Sequence, residues 1–226
     1  YKELKNKFFK GGVNKSIVDD FLYHPKADIW FDHHASTFRK PEWQKNFRQN
    51  KFHDWKPDYK SCTSQVLDGL VKNFGFKPSK IIKELVYWLD IIDSASYKSP
   101  EDVIDSKKPA FKIAKFIEYA GGRKNPLMWL IKGIAERPLK ELAKDLRIKK
   151  VMAKAGEDKA RAIKFYKENA KFYGKKIVFI DFSETNIKRV RHLPYYLYKG
   201  ILYEVIIKKT NKFYSPSISA SPWKRK

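Results

Sequence analysis

The chain has 226 residues, 42% of them hydrophobic, a length and composition that fit one large or two small globular domains. Lys and Arg outnumber Asp and Glu by 49 to 25, so the formal charge of +24 indicates either an anionic partner, such as nucleic acid or polyphosphate, or only a lysine-rich proteome. A single cysteine, Cys62, excludes a disulfide framework, and the sequence has no long apolar stretch or signal peptide, which predicts a soluble, cytoplasmic protein without a membrane partner.

The first third of the sequence has the pattern of an α/β domain. Two short β-prone segments, residues 15–23 and 26–34, each run into acidic or imidazole side chains. Two helices are predicted next, at residues 59–75 and 78–97, and Ser79 is the candidate N-cap of the second. Strands followed by helices favour a mostly parallel sheet.

The middle of the sequence, about residues 100–174, is predicted to be helical throughout. A composition shift near residue 175 then predicts a smaller α/β domain, with a hairpin turn at Thr210-Asn211. The predicted helices lie near 108–120, 125–136 and 138–173, and the predicted strands at 175–183, 201–209 and 212–221.

Side chains that could carry chemistry stand at the ends of the first two predicted strands. Asp19 and Asp20 end one strand, and Asp32, His33 and His34 end the next. Because the carboxyl ends of adjacent parallel strands line the crevice where ligands bind, we expect these groups to converge. Clustered carboxylates repel one another and raise one another's pKa, and a bound divalent cation neutralises this repulsion. A solvated turn is the alternative for the Asp-His-His tripeptide.

A further carboxylate is predicted on the helix at residues 78–97. At about 100° per residue, Asp93 falls within the apolar face of this helix and Asp90 at its edge. A buried carboxylate needs a partner, which a metal, an amide cluster or a lysine could supply. Local capping or pairing at the helix end is the alternative.

Together these segments resemble the DHH phosphoesterase family, which is named after the tripeptide present here as Asp32-His33-His34. The resemblance rests on "VDDFLYHPKADIWFDHHAST", followed after about sixty residues by "WLDIIDSASY", and on the late "FYSPSISASPW". It implies a partial DHH phosphoesterase domain at residues 1–105, a helical connector at 106–174 and the start of the DHH-associated C-terminal domain at 175–226.

The resemblance also implies a site and a chemistry. Enzymes of this family hydrolyse phosphoester or phosphoanhydride bonds with two metal ions, usually Mn²⁺, with Mg²⁺ or Co²⁺ as alternatives. The metal ligands it implies here are Asp20, His33 and Asp93. Asp32 is implied to orient an imidazole, and His34 to lie near the scissile phosphate. Asp19 is the alternative to Asp20, although the family pattern places Phe directly after the ligand, as Phe21 follows Asp20.

Two motifs of the family are missing from the sequence. Only 19 residues precede Asp20, and they contain no acidic pair at the spacing of the first motif; the glycine-rich C-terminal motif is also absent. We interpret the chain as an internal piece of a longer protein that hydrolyses little by itself, and a non-catalytic relative as the alternative.

The remaining aromatic and imidazole side chains are predicted to be structural. His24, His53 and His192 are interpreted as loop histidines rather than ligands. For three tyrosines near Arg189 and Arg191, packing in the C-terminal domain is favoured over base stacking; they are Tyr195, Tyr196 and Tyr198.

Three functions remain in competition at this stage. The first is metal-dependent hydrolysis of a nucleotide, short oligonucleotide or single-stranded nucleic acid. The second is an inorganic pyrophosphatase or polyphosphatase of the same chemistry. The third is a nucleic-acid-binding module without catalysis, for which binding would depend steeply on salt and not on Mn²⁺. The sequence does not predict the oligomeric state.

Overall fold

The computed structural model describes residues 16–210 and 213–224. Most of the segment before Asp20, and Asn211 of the predicted turn, lie outside these described residues. Backbone contacts divide the chain into two compact units, with the boundary after Ser94. No helix among the described residues is both long enough and apolar enough to cross a bilayer.

The first unit contains a three-stranded sheet in which all strands are parallel. The strand order is β1-β2-β3, so β2 is central, and its register places Phe31 between Asp19 on β1 and Asp54 on β3. Trp30 of β2 is fully buried and packs edge-on against Tyr23 at 4.9 Å between ring centroids. The elements are β1 (Ile17–Asp19), β2 (Ile29–Asp32), α1 (Pro41–Asn46), β3 (His53–Trp55), α2 (Cys62–Phe74) and α3 (Lys80–Asp93).

Helices α2 and α3 begin and end for local reasons. Ser61 caps α2 by accepting a hydrogen bond from the Ser64 amide, and α2 ends at Gly75, whose φ of 65° suits glycine. Ser79 caps α3, as predicted from the sequence. The helix α3 ends at Asp93, however, four residues earlier than predicted, and Ala95 follows in the left-handed region with φ 53°.

Several sequence predictions for the first unit need correction. The strands are shorter than predicted, and β3 and α1 were not predicted at all. His53 is therefore a strand residue and not a loop histidine, and its Nε2 lies 2.8 Å from the Ala27 carbonyl oxygen. With three residues, β3 is too short for an alternating pattern to stand out from its polar flanks.

The second unit combines helices with a mixed four-stranded sheet. The strand order is β4-β5-β6-β7, in which only β5 and β6 are parallel. The α/β class predicted from the sequence is thus confirmed. However, α4 lies outside the three predicted helices, the helix predicted to residue 173 ends at Asn169 and is followed by β4, and α9 was not predicted. The elements are α4 (Pro100–Asp105), α5 (Pro109–Ala120), α6 (Lys124–Glu136), α7 (Leu139–Leu142), α8 (Leu146–Asn169), β4 (Lys171–Tyr173), β5 (Ile177–Asp181), α9 (Leu193–Leu197), β6 (Tyr203–Lys209) and β7 (Tyr214–Ala220).

One face of this sheet packs in the core of the second unit, mainly against α8. Val178 and Ile180 of β5 and Ile206 of β6 are buried there with Tyr166 of α8. A charged group, Glu204, is also fully buried, and its partners satisfy it. Tyr166 donates a hydrogen bond to Glu204 at 2.6 Å, Arg189 forms an ion pair with it, and the Ser219 hydroxyl bonds to it at 3.1 Å.

Candidate metal site

The candidate site lies at the carboxyl end of the parallel sheet in the first unit. Strand β1 ends at Asp19, and Asp20 follows with φ 53°, a left-handed conformation that Asp tolerates better than most residues. The Asp20 amide still donates a hydrogen bond to the Phe31 carbonyl at 3.0 Å. His33 and His34 directly follow the last residue of β2, Asp32.

The imidazole of His33 lies between two carboxylates. Its Nε2 is 3.4 Å from Oδ1 of Asp20 and 3.2 Å from Oδ2 of Asp93. On the other side of the ring, Nδ1 lies 3.0 Å from the Tyr59 carbonyl oxygen. A carbonyl only accepts hydrogen bonds, so Nδ1 carries the proton, and in the neutral ring the lone pair of Nε2 faces the two carboxylates.

That buried Nε2 atom has no hydrogen-bond partner among the described residues, although both carboxylates lie within ion-pair distance. In the neutral ring, a nitrogen lone pair and two carboxylate oxygens therefore face one another. Nitrogen and oxygen donors in this combination suit Mn²⁺ and similar divalent cations. His33, Asp20 and Asp93 thus pass the chemical test for ligands of such an ion.

His34 belongs to the same cluster but is held differently. Its Nδ1 lies 2.7 Å from Oδ1 of Asp32, and its backbone amide donates to the same oxygen at 3.1 Å. Ligand atoms of Asp20, His33 and His34 all lie within 4.8 Å of one another. Within residues 16–210 and 213–224, no other group of three His, Cys, Asp or Glu side chains is as compact, and Asp93 adjoins the group through the 3.2 Å distance between its Oδ2 and His33 Nε2.

Asp32 is the most buried of the acidic and imidazole side chains at this site. Its side chain is 1% exposed, against 53% for His34, so the carboxylate holds the imidazole from behind. The second oxygen, Oδ2, is buried without a hydrogen-bond partner among the described residues. The hydrogen bond to Asp32 raises the pKa of His34, although partial burial opposes the rise.

The last residue of α3 supplies the remaining carboxylate. The sequence pattern predicted Asp93 to be buried within the apolar face of the helix. This prediction is wrong, since the Asp93 side chain is 42% exposed. Partial burial raises its pKa, the nearby Asp20 carboxylate adds to the rise, and the two histidines oppose it. Asp90, predicted at the edge of that face, instead accepts a hydrogen bond from the Ser61 hydroxyl at 2.6 Å.

The structure thus brings Asp20, His33, His34 and Asp93 together, with Asp32 behind His34. Asp19, the alternative to Asp20, is not part of the cluster. The Tyr59 carbonyl that orients His33 was not predicted, because a backbone contact of this kind has no sequence signal. Burial raises the pKa of Cys62 to about 12, so this nearby thiol is neutral and is no nucleophile.

The tyrosines near Arg189, and His192, serve the packing of the second unit. Tyr195 is buried and donates a hydrogen bond to the Ser219 carbonyl, and Tyr198 donates one to the Tyr166 carbonyl. The packing interpretation of these tyrosines is therefore confirmed. His192 lies outside the helices and strands, directly before α9, as the loop prediction requires. Its side chain is nevertheless buried.

Comparison with known proteins finds a similar fold but no matching family model. No protein-family model matches the sequence, and a search of curated proteins finds no match. Among solved structures, the chain is similar to the pGpG-specific phosphodiesterase PggH from Vibrio cholerae, with a TM-score of 0.69 and 18% sequence identity. The similarity covers 92% of this chain and 68% of that one. The chain therefore has the fold of a known phosphodiesterase.

Proposed function

We propose that this chain belongs to the DHH phosphoesterases and hydrolyses a phosphodiester bond in a nucleotide of about dinucleotide size. The observation that carries the proposal is the convergence of His33 Nε2 with the carboxylates of Asp20 and Asp93. The shared fold with a phosphodiesterase that acts on pGpG supports the substrate class.

In this proposal Asp20, His33 and Asp93 hold one divalent ion, preferably Mn²⁺. A bound ion of this kind lowers the pKa of water and stabilises charge on phosphate oxygens. The complete two-ion site of the resemblance needs ligands beyond these three, so we expect slow turnover from this chain alone. Mg²⁺ or Co²⁺ are alternatives for the same oxygen and nitrogen donors.

The neighbouring pair, Asp32 and His34, would act on the substrate rather than on the ion. Asp32 fixes the ring orientation through Nδ1 of His34, which leaves Nε2 of His34 as the atom that can bond to a phosphate oxygen. A proton held there would balance negative charge on the phosphate. Carboxylate and imidazole would thus position the phosphodiester without forming a covalent bond to it.

The test is hydrolysis of pGpG by the purified chain, followed by chromatography of the products, with Mn²⁺ or with EDTA. We expect slow hydrolysis with Mn²⁺ that EDTA abolishes and that His33→Ala and Asp93→Asn also abolish. His24→Ala is the matched control, because His24 lies outside the cluster.

Two outcomes would contradict the proposal. One is hydrolysis that persists in EDTA or in both variants. The other is the absence of both hydrolysis and Mn²⁺-dependent binding of the dinucleotide. Inorganic pyrophosphate and polyphosphate in the same assay test the alternative substrate class, which predicts faster hydrolysis of these phosphoanhydrides to phosphate than of pGpG to its mononucleotides.

A further inference from the structure

The sheet of the second unit has one face in the core and one face in solvent. Along β5 and β6, alternate residues point to opposite faces, and Val178, Ile180, Glu204 and Ile206 all lie on the buried one. The residues between them form the opposite face, which we call the outer face.

Aromatic and aliphatic side chains occupy the outer face where polar ones would be expected. Tyr173 of β4 is 59% exposed, Tyr203 of β6 45%, and Tyr214 of β7 61%. Ile218 of β7 is 74% exposed. Sheets that meet only water usually alternate apolar with polar residues, so an outer face of this composition indicates a partner.

The register of the sheet fixes how these side chains are spaced. Tyr173 and Tyr203 both align with Ile177, so they lie in one row with a single strand between them, about 10 Å apart. Tyr214 aligns with Lys209 at the far end of β6, about 20 Å from Tyr203 at ~3.3 Å per residue. That length suits a segment of about four nucleotides.

Lysines surround the outer face. Lys171 of β4 aligns with Phe179, and Lys175 and Lys176 form the turn beside Tyr173; all three lysines are exposed. At the far end, Lys209 Nζ lies 5.7 Å from the centre of the Tyr214 ring, and it also bonds to Glu184.

The charge of this part of the chain is strongly one-sided. Residues 171–226 contain thirteen Lys and Arg but only three Asp and Glu. Of those three acids, Glu204 is buried with Arg189, Glu184 pairs with Lys209, and only Asp181 lies on the outer face, where its carboxylate accepts a hydrogen bond from the Ser183 amide. Two such surfaces would repel each other, whereas a polyanion would be attracted.

We propose that the outer face binds single-stranded nucleic acid, with bases stacked on Tyr173, Tyr203 and Tyr214 and phosphates held by the surrounding lysines. Exposed aromatic side chains bind bases of any sequence, because every base has a π face, and a four-stranded sheet serves as such a platform in a common RNA-binding module. This binding is independent of hydrolysis at the candidate metal site.

The test is fluorescence anisotropy of labelled dT12 and U12 with the full chain. EDTA is present throughout, so failure of the hydrolytic proposal cannot affect the result. We expect binding that weakens steeply with NaCl between 50 and 300 mM. Tyr173→Ala and Tyr203→Ala should each weaken binding roughly tenfold, and Tyr203→Phe should retain it, since the ring and not the hydroxyl stacks.

Matched controls distinguish binding at the outer face from binding by positive charge elsewhere on the chain. Tyr87→Ala removes a tyrosine that is 58% exposed on α3, in the first unit, and should leave the affinity unchanged. Lys171→Gln should reduce the dependence of affinity on salt without removing stacking. Circular dichroism checks that each variant is folded.

Two results would overturn the proposal. The first is equal affinity of the wild-type chain and of folded Tyr173→Ala and Tyr203→Ala variants for dT12 and U12. The second is a wild-type dimer in analytical ultracentrifugation that Tyr203→Ala converts to a monomer while nucleic acid binding is unchanged, because the outer face would then join two copies of the chain.

Discussion

Lowering the pH should destabilise the second unit through a single side chain, His192. The ring is buried between Trp223 and Tyr97, at centroid distances of 5.6 and 5.7 Å, and its Nε2 has no hydrogen-bond partner among the described residues. Burial, with a smaller contribution from the nearby Arg and Lys side chains, lowers the pKa of His192 to about 4.

The sign and size of the effect follow from linkage. In the unfolded chain the pKa returns to about 6.5, so between pH 6.5 and 4 the unfolded state binds more protons than the folded state. The contribution of the neutral His192 ring to the free energy of unfolding is therefore fully present above pH 6.5 and is lost as the pH falls toward 4. The full difference corresponds to roughly 3 kcal/mol, of which about 2 kcal/mol is lost between pH 7.5 and 5.

The assay is urea unfolding followed by tryptophan fluorescence at pH 7.5, 6 and 5, for the wild-type chain and for His192→Phe. The variant keeps an aromatic ring without a titrating group. Any strain from the positive φ of 69° at this position affects all pH values equally. We expect the wild-type chain to lose about 2 kcal/mol more than the variant over this range. Parallel loss of stability in both chains would refute the reasoning.

Three further substitutions test other parts of the structure. Glu204→Gln should lower the free energy of unfolding by roughly 3 kcal/mol in urea, because it leaves the partly buried Arg189 without a counter-charge; a loss below 1 kcal/mol would contradict this. Ser61→Ala should cost about 1–2 kcal/mol in thermal unfolding, since the α2 cap is lost, and an unchanged melting temperature would count against that role. Asp32→Asn should lower the pKa of His34 in an NMR titration and reduce Mn²⁺-dependent hydrolysis about 10- to 100-fold; an unchanged titration would argue against the hydrogen bond.

Part of the candidate site could be predicted from the sequence because it depends on chain order. His33 follows the central strand directly and Asp20 follows its neighbour, so a parallel arrangement of the two strands is enough to bring them to one edge. The position of Asp93 was predicted on a helix face, but its proximity to His33 depends on where α3 ends. Sequence periodicity leaves that boundary uncertain.

The other features depend on which surfaces are covered in three dimensions. The tyrosines near Arg189 were the aromatic side chains that the sequence marked for base stacking, yet Tyr195 is buried. The exposed ones, Tyr173 and Tyr203, occur in strands whose alternating pattern does not tell which face is buried. Only the packing of α8 on the sheet separates the two faces.

The central claim is that His33 and its two carboxylates hold a divalent cation. Isothermal titration of Mn²⁺ into the metal-free chain tests it most directly, with His33→Ala and Asp93→Asn as variants. Glu42→Gln serves as the control, because Glu42 is an exposed carboxylate outside the cluster. The account predicts binding of Mn²⁺ by the wild-type chain and the Glu42 variant, and its loss in the other two; equal Mn²⁺ binding by all four chains would contradict it.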